Sequence, residues 1–212
     1  MELYGFFRSS ASYRVRIALA FKGLAALPRA VSLPKMEHKA DDFVRLNPEG
    51  LVPALVDGQT VLTQSLAIME YLEETHPAPP LLPQGAAARA YVRGVSQIVC
   101  CDIHPLNNVR VLKYLDARLG RTEAERAAWY AHWIAEGFRS IEATLRARGL
   151  SGRFVFGDAP GMADICLVPQ VFNALRFDCD LTDYPLALRI YENCMDLDCF
   201  SSTHPKLQAD AA

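Results

Sequence analysis

The chain has 212 residues, a formal net charge of −2 and a hydrophobic fraction of 51%, which is enough apolar sequence for one large or two small folded domains and excludes global disorder. Its pI near 6.2 indicates no broad basic field for nucleic acid or for an anionic membrane surface, so we expect neither as a partner. The amino terminus MELYGFF lacks the regions of a signal peptide and no run of about 18 apolar residues occurs, which predicts a cytoplasmic protein without a membrane span.

The first part of the chain, residues 1–80, alternates short strand-like and longer helix-like segments, a pattern typical of an α/β unit. We predict strands at 2–6 and 28–33, a hairpin around Asp57-Gly58, and helices at 10–22, 37–46 and 66–75.

The segment HPAPPLLPQG at 76–85 carries four prolines in ten residues, and neither helix nor sheet runs through such a segment. We therefore place a linker at about 76–86, between a domain of residues 1–80 and a domain of residues 81–212. Beyond it apolar residues recur at helical spacing. This predicts an all-helical domain with helices at 87–119, 123–148, 162–176 and 184–197, and a frayed tail, KLQADAA.

Six cysteines lie between residues 100 and 199, namely Cys100, Cys101, Cys166, Cys179, Cys194 and Cys199. Their spacings match neither a C-x-x-C redox pair nor a set of zinc ligands, so we interpret them as reduced thiols of the core. The histidines are equally scattered, and we expect no metal site.

The stretch FFRSSASYRVRIAL places Arg8, Ser9 and Ser10 just before an amphipathic helix. One serine is enough to cap the exposed N–H groups of a helix. A second hydroxyl beside Arg8 would complete a site for an anion, including a thiolate, at the start of the helix. The alternative is that both serines only cap the helix and that Arg8 is a solvated charge.

Two later stretches suggest a binding slot. In NPEGLVPAL, Pro53 stands just before a strand and requires a cis bond or an edge position; a cis Val52-Pro53 bond would offer the Val52 backbone to an extended peptide. In TQSLAIMEYL, Gln64 and Ser65 precede a helix and are placed to bind a second carboxylate. Each feature alone also fits an ordinary cap or turn, but together they predict a slot for a short, doubly anionic peptide.

These motifs, in this order, resemble those of the soluble glutathione transferases, and SSxSxRVRIAL resembles their zeta class; CDIHPLNNVRVLKYL and FGDAPGMADICLVPQVFNALRF extend the match along the chain. The resemblance implies a thioredoxin-like N-terminal domain that binds glutathione, an all-α C-terminal domain that binds substrate, and a homodimer. The residues that it places around glutathione are Ser9 and Ser10 at the sulfur, Val52 and a cis Pro53 at the cysteinyl unit, and Gln64 and Ser65 at the γ-glutamyl carboxylate.

Side chains of the second domain also gain roles from the resemblance. Arg110 and Arg176, with Arg8, would bind substrate carboxylates, for which the planar guanidinium fork is well suited. The resemblance also implies that Arg8 and Arg176 act with Ser9 and Ser10 as the catalytic residues, because their donors would stabilise the developing oxyanion. The alternatives are a solvated helix face for Arg110 and a cation at a helix C-terminus for Arg176. His104 and Asn108, one helical turn apart, would project from one face and contact glutathione or substrate; a buried structural histidine is the alternative.

The chain departs from the family pattern at three positions. Ala11 stands where a cysteine is usual, Tyr13 where tryptophan is common, and Gly161 where a serine or threonine caps a helix. Because Ala11 removes the protein thiol, the glutathione sulfur remains as the nucleophile. Gly161 leaves Asp164 to stabilise its helix start alone, at a cost of a few tenths of a kcal/mol.

The resemblance implies a glutathione-dependent cis-trans isomerase of a maleyl dicarboxylate. The thiolate would add to the cis alkene, the resulting single bond would rotate, and elimination would restore a trans alkene, so that glutathione acts as a cofactor. The first hypothesis is conversion of maleylacetoacetate to fumarylacetoacetate in tyrosine breakdown. The alternatives are maleylpyruvate as substrate, a general glutathione transferase or dehalogenase, and a glutathione-fold binding scaffold without turnover.

Overall fold

The structure is a computed structural model that describes residues 1–149 and 152–211. It contains two compact units: one runs from Met1 to Leu81 and includes the chain again from Met195 onward, and the other is Leu82–Cys194. The first unit is an α/β structure and the second is built from helices, as the sequence predicted.

The sheet of the first unit has four strands in the order β2-β1-β3-β4. They are β1 (Glu2–Gly5), β2 (Leu27–Ala30), β3 (Ala54–Asp57) and β4 (Thr60–Thr63). β1 and β2 are parallel because a helix crosses between them, whereas β3 is antiparallel to β1 and to β4. The predicted hairpin between β3 and β4 is present, and its turn residue Gly58 has φ +59°, a conformation in which glycine avoids the clash of a Cβ.

The helices of the first eighty residues are α1 (Ser10–Phe21), α2 (Asp41–Leu46) and α3 (Ser65–Thr75), with a short 3-10 turn at Glu37–Lys39. α1 and α3 pack against each other. Ile17 of α1, Ile68 of α3 and Leu55 of β3 are fully buried in this core, and each contributes about 2 kcal/mol through its removal from water. This packing fixes where the amino ends of α1 and α3 lie.

The proline-rich segment is tied to the first unit by a buried ion pair. The Lys22 ammonium donates to Glu73 Oε2 at 3.0 Å, to the His76 carbonyl at 2.6 Å and to the Pro79 carbonyl at 2.9 Å. Glu73 Oε2 also accepts the Leu81 N–H at 2.7 Å. All three donors of this lysine are therefore satisfied, as a buried cation requires.

The later helices are α4 (Ala86–Gln97), α5 (Val109–Ala117), α6 (Glu123–Arg148), α7 (Met162–Arg176) and α8 (Pro185–Met195). The prediction for α7 is confirmed at both ends, and the predicted stripe of α6 is buried at Ile134, Phe138, Ile141 and Leu145. Among residues 1–149 and 152–211, no helix combines the length and apolar character needed to cross a membrane.

The prediction of one helix over 87–119 is wrong. A π-helical turn, Ile98–Ile103, follows α4, a turn segment comes next, and α5 begins only after Asn108. Pro105 explains the break, because proline lacks the N–H of the helical ladder and its ring clashes with the preceding turn.

The prediction of a frayed tail is also wrong for the residues that the structure describes. The chain after Met195 forms α9 (Asp198–Ser201) and two 3-10 turns, Pro205–Leu207 and Ala209–Ala211. The Asp210 carboxylate accepts the Phe7 N–H at 2.9 Å. A hydrogen bond to Phe7, two residues after β1, thus helps to order a segment whose composition alone indicated mobility.

Candidate functional site

The amino end of α1 carries the serine pair that the sequence singled out. Ser9 is the N-cap residue, and its Oγ accepts the Ser12 N–H at 3.2 Å. Ser10 is the first helical residue and is buried. The two serines therefore have different roles. Ser9 caps the helix as an acceptor, so its hydroxyl proton can still be donated to a ligand. Ser10 is not required as the cap.

Arg8 lies beside this helix end and is exposed. Its guanidinium lies 5.0 Å from the ring centroid of Phe7 and 5.7 Å from that of Phe6, distances at which a cation is attracted to an aromatic face. The Phe7 carbonyl accepts Arg16 Nη2 at 3.0 Å, and the Phe7 N–H donates to Asp210. The backbone just before Arg8 is thus held by α1 and by the C-terminal segment.

Burial affects Arg16 itself and lowers its pKa to about 10, with the phenol of Tyr13 and the carboxylate of Asp210 acting in the opposite direction. The side chain remains a cation near neutral pH. It therefore adds positive charge to this side of the helix start.

The peptide bond between Val52 and Pro53 is cis, which confirms the prediction. Pro53 is buried, and β3 begins immediately after it at Ala54. Within the part of the chain that the structure describes, the Val52 backbone makes no hydrogen bond to another backbone group. Its N–H and C=O are therefore available to an extended ligand, as predicted for strand-like recognition.

The amino end of α3 has an unusual backbone. Gln64 is the N-cap residue with φ +65° and ψ 114°, and its side chain makes no capping hydrogen bond. Its amide Nε2 instead donates to both carboxylate oxygens of Glu49, at 3.0 and 2.9 Å. Such conformations of non-glycine residues cluster at binding and catalytic sites, so the alternative of an ordinary cap does not describe Gln64.

Ser65 is the first residue of α3 and is buried. Its Oγ accepts a hydrogen bond from Nη1 of Arg14 at 3.0 Å. Arg14 was not among the residues predicted from the sequence, although a signal was present: it stands at the i+4 position from Ser10, on the stripe that continues to Ile17 and Ala18. A charged residue on an apolar stripe is uncommon unless it is paired.

The second unit contains His104 and Asn108, and the predicted relation between them is wrong. Asn108 has an extended backbone and is the N-cap of α5, with its Oδ1 accepting the Arg110 N–H at 3.0 Å. His104 ends the π-helical turn before it. The two residues do not lie on one helix, because the break after Pro105 removes the helical turn that the spacing assumed.

Arg110 and Arg176 both lie on helices of this unit and are exposed. Arg110 is in the first turn of α5. Arg176 is the last residue of α7, donates from Nη2 to Asn173 Oδ1 at 3.2 Å and lies 4.5 Å from the ring centroid of Phe177. A place at a helix C-terminus favours a cation, and the exposed guanidinium of Arg176 is also accessible to a carboxylate.

The start of α7 bears out the expectation for Gly161. Asp164 accepts the Gly161 N–H at 2.9 Å and the Val155 N–H at 2.8 Å, and it is almost completely buried. Burial raises the pKa of this carboxyl to about 6, although its hydrogen bonds from backbone N–H groups act in the opposite direction. Asp164 thus caps α7 without help from a serine or threonine.

All six cysteines are free thiols, as predicted, but the expectation that they lie in the core is wrong for Cys101, which is exposed. Burial raises the pKa of the thiols of Cys179 and Cys199, so neither is an activated thiolate. Among residues 1–149 and 152–211, no group of three His, Cys, Asp or Glu side chains is suited to a metal ion.

Taken together, the first unit has two helix amino ends that can each bind an anion, one with Ser9 and Ser10 and one with Gln64 and Ser65. The unpaired N–H groups and positive dipole end of each helix favour negative charge there. Between them in the chain, Val52 offers a backbone edge. This arrangement is suited to an extended ligand with two polar, anionic ends.

Comparison with known proteins agrees with this arrangement. The family model of the glutathione S-transferase N-terminal domain matches residues 1–74, and that of the C-terminal domain matches residues 127–207. A probable maleylacetoacetate isomerase of Vibrio cholerae is 47% identical over 212 residues, which cover 99% of this chain and 97% of the relative.

Two solved structures are also similar over their whole length. The holo structure of a maleylpyruvate isomerase, a bacterial glutathione S-transferase of the zeta class, is 50% identical with a TM-score of 0.98, and the match covers 100% of both chains. A maleylacetoacetate isomerase from Methylobacterium extorquens with bound malonate and glutathione is 39% identical with a TM-score of 0.96, again over 100% of both chains.

Proposed function

The chain belongs to the glutathione S-transferase family, and from this premise we propose that it is a glutathione-dependent cis-trans isomerase of a small maleyl dicarboxylate. The observation that carries the proposal is the full-length similarity to isomerases of two such substrates. Relatives named for either substrate have similar sequence identity to this chain, 47% and 50%. Both substrates are therefore proposed, with maleylacetoacetate as the first hypothesis and maleylpyruvate as the alternative.

Glutathione is the cofactor in this proposal, and the residues of the first unit fit it. A tripeptide with two carboxylates and a thiol matches two anion-binding helix ends and a free backbone edge. Ser9 and Ser10 would hold the sulfur, Val52 the cysteinyl backbone, and Gln64 with Ser65 the γ-glutamyl carboxylate. When bound, glutathione supplies a thiolate that adds reversibly to the alkene and so permits rotation from cis to trans.

The chain's own residues would stabilise charge rather than provide the nucleophile. The hydroxyls of Ser9 and Ser10 and the N–H groups of the first turn of α1 favour an anion over a neutral thiol. Ala11 offers no sulfur, and burial raises the pKa of two of the cysteine thiols, Cys179 and Cys199. Each well-aimed donor toward a developing oxyanion contributes about 3 kcal/mol.

Arg8, Arg110 and Arg176 are proposed to bind the carboxylates of the substrate. All three are exposed, and a guanidinium binds a carboxylate through two parallel hydrogen bonds. His104 and Asn108 are proposed as further contacts to glutathione or substrate. In this proposal residues 1–80 form the glutathione-binding domain and residues 81–212 the substrate-binding domain, although the chain from Met195 onward packs within the first compact unit.

We also propose a cytoplasmic homodimer, in keeping with the family resemblance, with no nucleic acid or membrane as partner. Sedimentation equilibrium would test the dimer directly. A monomer at micromolar concentration would contradict it.

The isomerase proposal is tested by turnover of maleylacetoacetate and of maleylpyruvate with glutathione, with S-methylglutathione, and with neither. S-methylglutathione is the matched control because it keeps both carboxylates but cannot form a thiolate. We expect a cis-to-trans change in ultraviolet absorbance with glutathione alone. Turnover with S-methylglutathione would refute the role of the sulfur; binding of glutathione without turnover of either substrate would favour a transferase acting on other electrophiles or a scaffold.

A further inference from the structure

Arg14 is a buried cation that forms no ion pair with any residue of 1–149 or 152–211. Its side chain is only 2% exposed. Its one hydrogen bond runs from Nη1 to Ser65 Oγ at 3.0 Å, and within residues 1–149 and 152–211 its Nε and Nη2 atoms have no partner. A buried charge without compensation is strongly unfavourable, so this arginine requires an explanation.

Lys22, a buried cation with a structural role in the same unit, is fully paired. Its ammonium is equally buried and lies 3.0 Å from the Glu73 carboxylate. Two backbone carbonyls satisfy its other donors. Arg14, by contrast, donates to a neutral hydroxyl and, in the part of the chain that the structure describes, to no carboxylate. The difference indicates that a ligand supplies the negative charge opposite Arg14.

The hydrogen bond to Ser65 has a direction that matters for binding. A guanidinium has donors and no acceptor, so Ser65 Oγ must accept from Arg14. The single hydroxyl proton of Ser65 is then left to donate elsewhere. Because the acceptor side is bound to a cation, the hydroxyl is a stronger donor than an isolated serine.

Arg14 and Ser65 belong to the two helices whose amino ends can bind an anion, α1 and α3. Ser65 begins α3, and Arg14 lies one turn after Ser10 on α1. Long side chains on a helix point back toward its amino end. The Arg14 guanidinium donates to the first residue of α3, and Arg14 itself follows the serine pair of α1 by one helical turn.

We propose that Arg14 is a positioning residue for glutathione: it fixes Ser65 as a donor to the γ-glutamyl α-carboxylate and provides the buried positive charge that this carboxylate balances. The inference rests on the proposed function, since it assumes that glutathione binds at Ser65. The inference goes beyond that function because it assigns recognition of the γ-glutamyl α-carboxylate partly to Arg14, a residue for which the sequence predicted no contact with the ligand.

The test compares the affinity for glutathione with that for an analogue whose γ-glutamyl α-carboxylate is an amide, by isothermal titration. We expect the wild-type protein to prefer glutathione by about tenfold, as for one charge-assisted hydrogen bond. Arg14→Gln is expected to reduce this preference to near unity. Arg14→Lys, which keeps the charge, is expected to retain most of it. Arg29→Gln, the same change at an exposed arginine of β2, is the matched control.

The outcomes separate the inference from the proposed function. If the wild-type protein does not bind glutathione, both fail. If it binds glutathione and Arg14→Gln weakens both ligands equally, Arg14 is only structural and the inference alone fails. The double variant Arg14→Gln with Ser65→Ala should lose no more preference than either single variant, because the two residues act as one unit.

A measurement on the wild-type protein covers the case in which Arg14→Gln does not fold. With ¹⁵N-labelled arginine, the Nε–H resonance of Arg14 is assigned by its loss in Arg14→Lys. We expect glutathione to shift this resonance and the amide analogue to shift it several-fold less. Equal shifts, or none on saturation with glutathione, would overturn the proposal.

Discussion

The backbone conformation of Gln64 allows its structural cost to be separated from its side-chain role. At φ +65° and ψ 114°, any residue with a Cβ is strained by about 1 to 2 kcal/mol. Gln64→Ala removes the amide but keeps the strain, whereas Gln64→Gly removes both. Glycine also loses more entropy on folding, by about 0.7 kcal/mol. Gln64→Gly should therefore be more stable than Gln64→Ala by about 1 kcal/mol.

The assay is urea unfolding of the two variants, followed by titration with glutathione. Both variants should lose glutathione affinity to a similar extent, about fivefold for one hydrogen bond to a carboxylate. Glu74, exposed within α3, is the control position, where alanine should be more stable than glycine by about 1 kcal/mol. If Gln64→Ala were as stable as Gln64→Gly, the proposed strain would be refuted.

Three other expectations follow from buried or charged groups. Lys22→Met leaves Glu73 buried without its cation and should reduce the free energy of unfolding in urea by roughly 3 to 5 kcal/mol; a loss below about 1 kcal/mol would contradict the ion pair. Because burial raises the pKa of Asp164 to about 6, above its unfolded value, its contribution to stability is full below about pH 4 and is lost as pH rises to 6. The total change is up to about 3 kcal/mol, and Asp164→Asn should remove that part of the pH dependence; an unchanged profile would show that the carboxyl is ionised in the fold. Arg176→Ala should raise KM for the dicarboxylate and leave glutathione affinity nearly unchanged, and equal weakening of both would place this arginine at glutathione.

Much of the fold could be predicted from local signals. The Asp57-Gly58 turn predicted the hairpin, and α7 was predicted at both ends because an apolar period begins after Gly161 and ends before a polar stretch. The break after Ile103 does not follow from the periodicity, because apolar residues at helical spacing continue past Pro105. The ordered C-terminal segment was missed because its hydrogen bond joins Asp210 to a residue near the other end of the chain.

The candidate site likewise contains residues that the sequence predicted and features that it did not. Ser9, Ser10, Gln64 and Ser65 were found because helix starts have a sequence signature. The positive φ of Gln64 has no such signature, since glutamine rarely adopts it. The role of Arg14 depends on how α1 and α3 pack, which a local pattern does not contain.

In the proposed function, the amino end of α1, with Ser9 and Ser10, stabilises the glutathione thiolate. The most direct measurement is a pH titration of the ultraviolet absorbance of the thiolate in the complex. The pKa of the bound thiol should lie clearly below the value of about 8.5 for a free cysteine thiol. An unchanged or raised pKa would contradict the claim.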